Sequence, residues 1–264
     1  MKTKLTAFSL LIICFAVTGA DAVSYKRHNA ILRKAVIMYR GLPSSRIKWK
    51  VLGKSNRKNR IYFREFGSGK KLTMIIGGMH GDEPSGFIST IKLAQYITKN
   101  PSSIKNRVII IPCMNPDGLL KGERTNWNKV DLNRNFPSAT WSPYYLKPYN
   151  NPGRLPASEP ETVLIANAIE DYRPELIIQM HQPFNALYPD DEVPSGLADK
   201  MSEISGVPVS HDLGYETPGS LGSLKPFLGY KAYGITYELG RIDREPDYDK
   251  VTESLVEAIN YREE

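Results

Sequence analysis

Cysteine is almost absent. Two occur in 264 residues, Cys14 and Cys113. Cys14 lies inside an N-terminal apolar stretch, so removal of that stretch leaves Cys113 alone and excludes an intramolecular disulfide. Cys113 ends the run "VIIIPC" and reads as a buried, inert thiol. Histidine is equally scarce, with four in the chain: His28, His80, His181 and His211. No apolar run is long enough to span a bilayer; "LTAFSLLIICFAV" stops at thirteen residues. Internal repeats and low-complexity tracts are also missing, which leaves an ordinary globular composition, 41% hydrophobic and 24% charged.

The thirteen-residue run follows Lys2 and Lys4 and precedes "ADA" at residues 20–22. A basic start, an apolar centre and a small-x-small end form a secretory signal. The expectation is cleavage after Ala22, export to the periplasm or beyond, no stable membrane insertion afterwards, and one catalytic-size domain over residues 23–264. Loss of Lys2, Lys4 and Asp21 takes the formal net charge from +7 to +6. The densest basic stretch, "RIKWKVLGKSNRKNR", alternates as strand, turn, strand within residues 46–66. It reads as a solvated hairpin, and the positive charge as a solubility feature; no nucleic-acid partner is expected.

Four apolar runs read as buried strands: 72–76, 108–111, 176–180 and 235–239. Helical spacing follows Pro84, and Val251, Leu255 and Ala258 repeat it near the C-terminus. Ser158 with Glu161 suggests a capping box before "TVLIANAIEDY". Strands alternating with helices predict an α/β fold: a mixed, mostly parallel twisted sheet with helices on both faces. In such sheets ligands gather beyond the carboxyl ends of the strands. His80 follows the first run, Asn115 and Asp117 the second, His181 the third, and Glu238 ends the fourth. Parallel strands would bring these groups to one edge. Residues 119–157 lack apolar runs and are rich in Asn, Pro, Tyr and Trp, which marks a long functional loop.

Catalytic zinc typically takes three protein ligands and leaves one position open. "GGMHGDEPSG" offers His80 and Glu83 from one loop, and His181 arrives 98 residues after Glu83. Glu238, in "ITYEL", is a carboxylate on an otherwise apolar strand, a costly placement unless a site uses it; the plainer alternative is a frayed strand end paired with Arg241. Amide hydrolysis needs a cation for the developing oxyanion, and selection of a free C-terminus needs a carboxylate clamp. Arg124 and Arg134 are the guanidiniums of the long loop. Salt bridges to Glu123 or Asp131 would account for them equally.

Together "GGMHGDE", "NPDG", "VDLNRNFP", the later strand-end histidine and "TYEL" resemble the carboxypeptidase A-like zinc metallocarboxypeptidases, from about residue 60 to the C-terminus. The resemblance implies one zinc ion held by His80, Glu83 and His181. It implies Glu238 as the general base, Arg124 as the group that polarises the scissile carbonyl, and Asn133 and Arg134 as binders of the substrate carboxylate. Asp131 would orient His80. Tyr215 is the candidate for the family's mobile tyrosine. "GERTNWNKVDLNRNFP" and "GYETPGSLGS" are similar to the murein peptide amidase subgroup, which cuts the γ-D-glutamyl–diaminopimelate bond, and imply a peptidoglycan-derived peptide as substrate. Two rival readings stand beside this one: a zinc N-acyl amino acid deacylase of the aspartoacylase or succinylglutamate desuccinylase type, and a non-catalytic wall-binding relative.

Overall fold

The four apolar runs become the centre of a single sheet. The structure is a computed structural model and describes residues 19–190, 193–194, 196–224 and 229–261; the basic and apolar parts of the expected signal lie outside these. Seven strands form the sheet: β1 (Lys50–Lys54), β2 (Arg60–Phe66), β3 (Leu72–Ile76), β4 (Arg107–Ile111), β5 (Leu176–His181), β6 (Ala186–Pro189) and β7 (Tyr233–Glu238). Their order is β1-β2-β4-β3-β5-β7-β6. The central strands β4, β3, β5 and β7 are mutually parallel. The hairpin β1–β2, the β2–β4 pair and the β6–β7 pair are antiparallel. The chain leaves β3 for β4 on one side and later reaches β5 on the other. This reversal opens a crevice at the carboxyl ends of β3 and β5.

Helices cover both faces: α1 (Gly19–Gly41), α2 (Pro84–Lys99), α3 (Pro116–Lys121), α4 (Pro160–Tyr172), α5 (Leu197–Ser205), α6 (Leu221–Leu224) and α7 (Tyr248–Asn260). Side chains alternate across each strand, so one run serves two cores. Ile75, Ile110, Ile178 and Ile235 face α2, α5 and α7, where Leu93, Met201 and Leu255 meet them. Met74, Ile76, Ile109 and Ile177 face the other way, toward Ile165 and Ile169 of α4. Burial on both faces explains why these strands are continuously apolar, with each aliphatic side chain contributing about 1.5–3 kcal/mol.

Three local features differ from the sequence expectation. The capping box does not form: α4 starts at Pro160 with Glu159 as N-cap and no side-chain cap. Pro160 takes the first helical position, where its missing N–H costs nothing. Ser158 then bonds Glu159, and Glu161 accepts from the Asn56 N–H instead. Helix α1 was not foreseen, because its buried stripe is only one residue wide per turn, at Ile31, Ala35 and Tyr39. Strand β6 and helix α5 were also missed; both are short and lie among polar residues.

Candidate active site

The loop after β3 is shaped by glycine. Gly78 adopts φ +56°, and a Cβ on Gly81 would lie 2.0 Å from the backbone carbon of Gly118. Only glycine at residue 81 lets this loop nest against the "NPDG" turn. Glu83 is the N-cap of α2, and Pro84 fixes the first turn. The next apolar strand end is adjacent: His181 ends β5, and its register partner on β7 is Glu238.

His80, Glu83 and His181 converge in the crevice. All three are buried, and one ligand atom from each lies within 4.8 Å of the others. His80 Nδ1 is 2.9 Å from Glu83 Oε1, His181 Nδ1 is 3.1 Å from Glu83 Oε2, and the two Nδ1 atoms are 3.1 Å apart. The opposite edges of both rings are occupied. His80 Nε2 lies 3.0 Å from Asp131 Oδ1, and His181 Nε2 lies 3.3 Å from Gln179 Oε1. Asp131 only accepts, and Arg124 Nη1 lies 3.2 Å from His80 Nδ1, so His80 suits the tautomer with its proton on Nε2 and its Nδ1 lone pair toward the crevice. His181 Nε2 lies between Gln179 Oε1 and, at 3.5 Å, Asn133 Nδ2, and its Nδ1 faces the same point. Two imidazole nitrogens and a carboxylate thus face one point. The donor set is a His₂Glu set, which zinc accepts with a position left open.

Neighbouring groups lock this arrangement. Asp131 is fully buried and accepts from the Asn133 N–H at 2.9 Å and from Arg124 Nη2 at 3.0 Å. Burial alone would raise its carboxyl; His80 and Arg124 hold it well below its usual range. Burial likewise would raise Glu83, but His80 and His181 hold it low. Gln182 was not foreseen. Its backbone N–H donates to Glu83 Oε2 at 3.1 Å, while its side chain accepts from Ser85 N and donates to the Gly240 carbonyl.

Glu238 behaves differently. Burial, and then repulsion from Glu83, pushes its carboxyl from 4.5 up to about 8; the Phe184 N–H, at 3.4 Å, offsets only part of this. Arg241 pairs with Asp243, not with Glu238. A carboxyl raised in this way exchanges its proton near neutral pH.

Both loop arginines reach the same cavity, of about 840 Å³. Arg124 is tied to Asp131 and also donates from Nη1 to Glu83 Oε1 at 3.1 Å, so the expected salt bridge and the pocket position coexist. Arg134 is buried, and its Nη1 donates to the Asn133 carbonyl at 2.7 Å. Among the described residues no carboxylate pairs with it. Asn133 lines the cavity as well, its Oδ1 accepting from the Leu221 N–H. Tyr215 stands at the mouth, half exposed, its ring centroid 6.2 Å from that of Phe184. The lining adds Gln179, Thr236 and Asp190. Gln179 and Thr236 sit two residues before His181 and Glu238, and the strand period of two points to them from sequence.

The "NPDG" cluster does not join the cavity wall. Asn115 caps α3, accepting from Gly118 N at 2.8 Å. Asp117 accepts from Ser55 Oγ, Asn59 Nδ2 and Arg57 N, and so pins the β1–β2 hairpin. A polar cluster at a strand end therefore serves as a brace here, while the other three form the site.

A fold with parallel strands ending in a buried His₂Glu set, a carboxylate beside it and a buried guanidinium lining the same cavity defines a metallocarboxypeptidase. The profile of the family described as zinc carboxypeptidase matches residues 39–212, and the chain belongs to that family; it is a zinc-dependent hydrolase. Within the family, the chain is 33% identical over 174 residues to murein peptide amidase A of Escherichia coli (strain K12), covering 62% of this chain and 69% of that one. It is 31% identical to murein peptide amidase A of Vibrio campbellii, covering 62% and 68%. The crystal structure of murein-tripeptide amidase MpaA from Escherichia coli O157 superposes with a TM-score of 0.63 at 27% identity, over 80% of this chain and 90% of that one. Bovine thrombin-activatable fibrinolysis inhibitor, at 20% identity and a TM-score of 0.67 over 88% and 94%, shares the fold. Glu238 lies beyond the profile match; the register with His181 is what places it in the site.

Proposed function

We propose that this chain hydrolyses an amide bond beside the free C-terminal carboxylate of a peptidoglycan stem peptide, with the γ-D-glutamyl–diaminopimelate bond as the target. The observation that carries this reading is Arg134: a buried guanidinium without an acidic partner among the described residues, opening into the cavity that Glu238 and the His₂Glu set share. A terminal carboxylate supplies its missing partner through paired hydrogen bonds. The two similar amidases act on murein peptides by name.

The roles follow from position. His80, Glu83 and His181 hold zinc. When bound, the ion supplies Lewis acidity, polarising the scissile carbonyl and making water a nucleophile near neutral pH. Glu238 takes the proton from the attacking water and returns it to the leaving amine nitrogen. Arg124 stabilises charge on the carbonyl oxygen, Asn133 and Arg134 hold the terminal carboxylate, and Tyr215 closes the mouth. Export after removal of residues 1–22 would place the enzyme in the periplasm or outside the cell. Among the described residues no helix is long and apolar enough to cross a membrane.

The test is to incubate the protein with the wall tripeptide and with N-acyl amino acids, with and without a chelator, and to identify products by mass spectrometry. Chelator-sensitive release of diaminopimelate supports the reading. Exclusive hydrolysis of N-acyl amino acids would assign a deacylase, and no hydrolysis with retained wall binding would assign a binder.

A further inference from the structure

Helix α1 lies almost wholly before the region that the family profile covers, which opens at residue 39. It nevertheless packs behind the loop that carries His80 and Glu83. Ile31, Ala35 and Tyr39 recur at every turn and bury against Phe87, Ile88 and Ile91 of α2 and Leu119 of α3. Helix α2 starts directly after Glu83, so α1 braces the element that begins at a ligand. Nearer its start, His28 Nε2 lies 2.9 Å from the carbonyl oxygen of Asp82. A carbonyl only accepts, so the imidazole donates.

The same helix reaches the second arm of the site. Leu32 lies over Gly122, where a Cβ would meet its methyl carbon at 2.4 Å; Gly122 also adopts φ +69°. Gly122 stands two residues before Arg124. The Arg124 carbonyl in turn accepts from the Gly81 N–H and from Asn115 Nδ2. Lys34 ties α1 to Glu245 near the start of α7. One helix therefore touches the backbone beside Glu83 and the backbone beside Arg124. The turn that carries the ligands is weakly closed by itself, with Glu83 N 3.3 Å from the His80 carbonyl.

We infer that α1 is a positioning element for the metal-binding loop and that His28 is its positioning residue. By holding the Asp82 carbonyl, His28 fixes the peptide plane that leads into Glu83, and so the approach of Glu83 and His80 to the ion. An outer contact of this kind orients a ligand without touching the metal. The inference rests on the zinc assignment above.

The experiment measures zinc affinity of the full chain by competition with a chelating dye. His28→Ala is expected to bind zinc about tenfold more weakly, the usual lower range for loss of an outer partner. His28→Gln, whose side-chain amide donates from a similar position, is expected to regain most of the loss. Tyr39→Phe is the control: it deletes a hydrogen bond of the same kind, from Tyr39 Oη to the Arg60 carbonyl at 2.8 Å, at the other end of α1. It should lower the urea midpoint and leave zinc affinity unchanged. Parental affinity in His28→Ala, or equal weakening in Tyr39→Phe, would overturn the inference while leaving the zinc assignment intact. A parent chain that takes up no zinc would overturn both.

Discussion

The cavity has two unlike walls. On one, His80, Glu83, His181, Asp131 and Arg124 bond to one another, and each carboxylate oxygen of Glu83 and Asp131 has a partner. On the other, Arg134 has only a backbone carbonyl among the described residues, and Phe184 and Tyr215 are each half exposed. The first wall completes itself from the chain's own groups and leaves only lone pairs for an ion. The second lacks an anion and apolar cover, both of which a substrate brings. Glu238 stands between them, buried yet short of donors, which is why its carboxyl titrates high.

Changes at these positions separate the walls. The largest effect is expected at the boundary. Glu238→Ala should lower kcat by about 10²–10⁴-fold, the usual worth of a general base, while zinc stays bound. Activity within tenfold of the parent would place the base elsewhere. Next is the open wall. Arg134→Ala should raise KM about a hundredfold for substrates with a free terminal carboxylate, as expected for loss of a charge-assisted clamp worth about 3 kcal/mol. C-terminally amidated substrates should show little further loss; equal losses on both would mean that Arg134 does not read the carboxylate. The smallest effect concerns protons. In the zinc-free protein the Glu238 carboxyl rises from 4.5 to about 8, so folding favours its protonated form. That contribution to stability is lost as pH rises toward and through 8. Relative to Glu238→Gln, the zinc-free parent should therefore have a similar urea midpoint at pH 5 and a lower one at pH 9. Zinc, by adding positive charge nearby, should shrink the difference at pH 9. A constant offset at both pH values would show that Glu238 titrates normally.

The strands and the convergence of their polar ends could be read early because both rest on patterns with one cause. A doubly buried strand must be continuously apolar, and a parallel sheet must deliver its strand ends to one edge. His80, His181 and Glu238 obey both rules. Asn115 and Asp117 obey them too and became braces, because a strand-end polar residue satisfies loop backbone as readily as it binds a ligand. The roles of the amides in "DLNRN" divide similarly. Asn135 staples the loop to the carbonyls of Pro152 and Leu155, whereas Asn133 faces the cavity. Spacing alone does not separate those fates, since the distinction lies in contacts with chain segments far away in sequence. Helix α1 was invisible for another reason: its stripe buries few residues, and its value lies in what it rests against.

The most direct test is the metal content of the purified chain. After exhaustive dialysis, elemental analysis should find about one zinc per parent chain, and a His80→Ala, His181→Ala double variant that still folds should hold essentially none. Zinc retained at full stoichiometry by the folded double variant, or a parent free of zinc that gains no stability when the ion is added, would contradict the account.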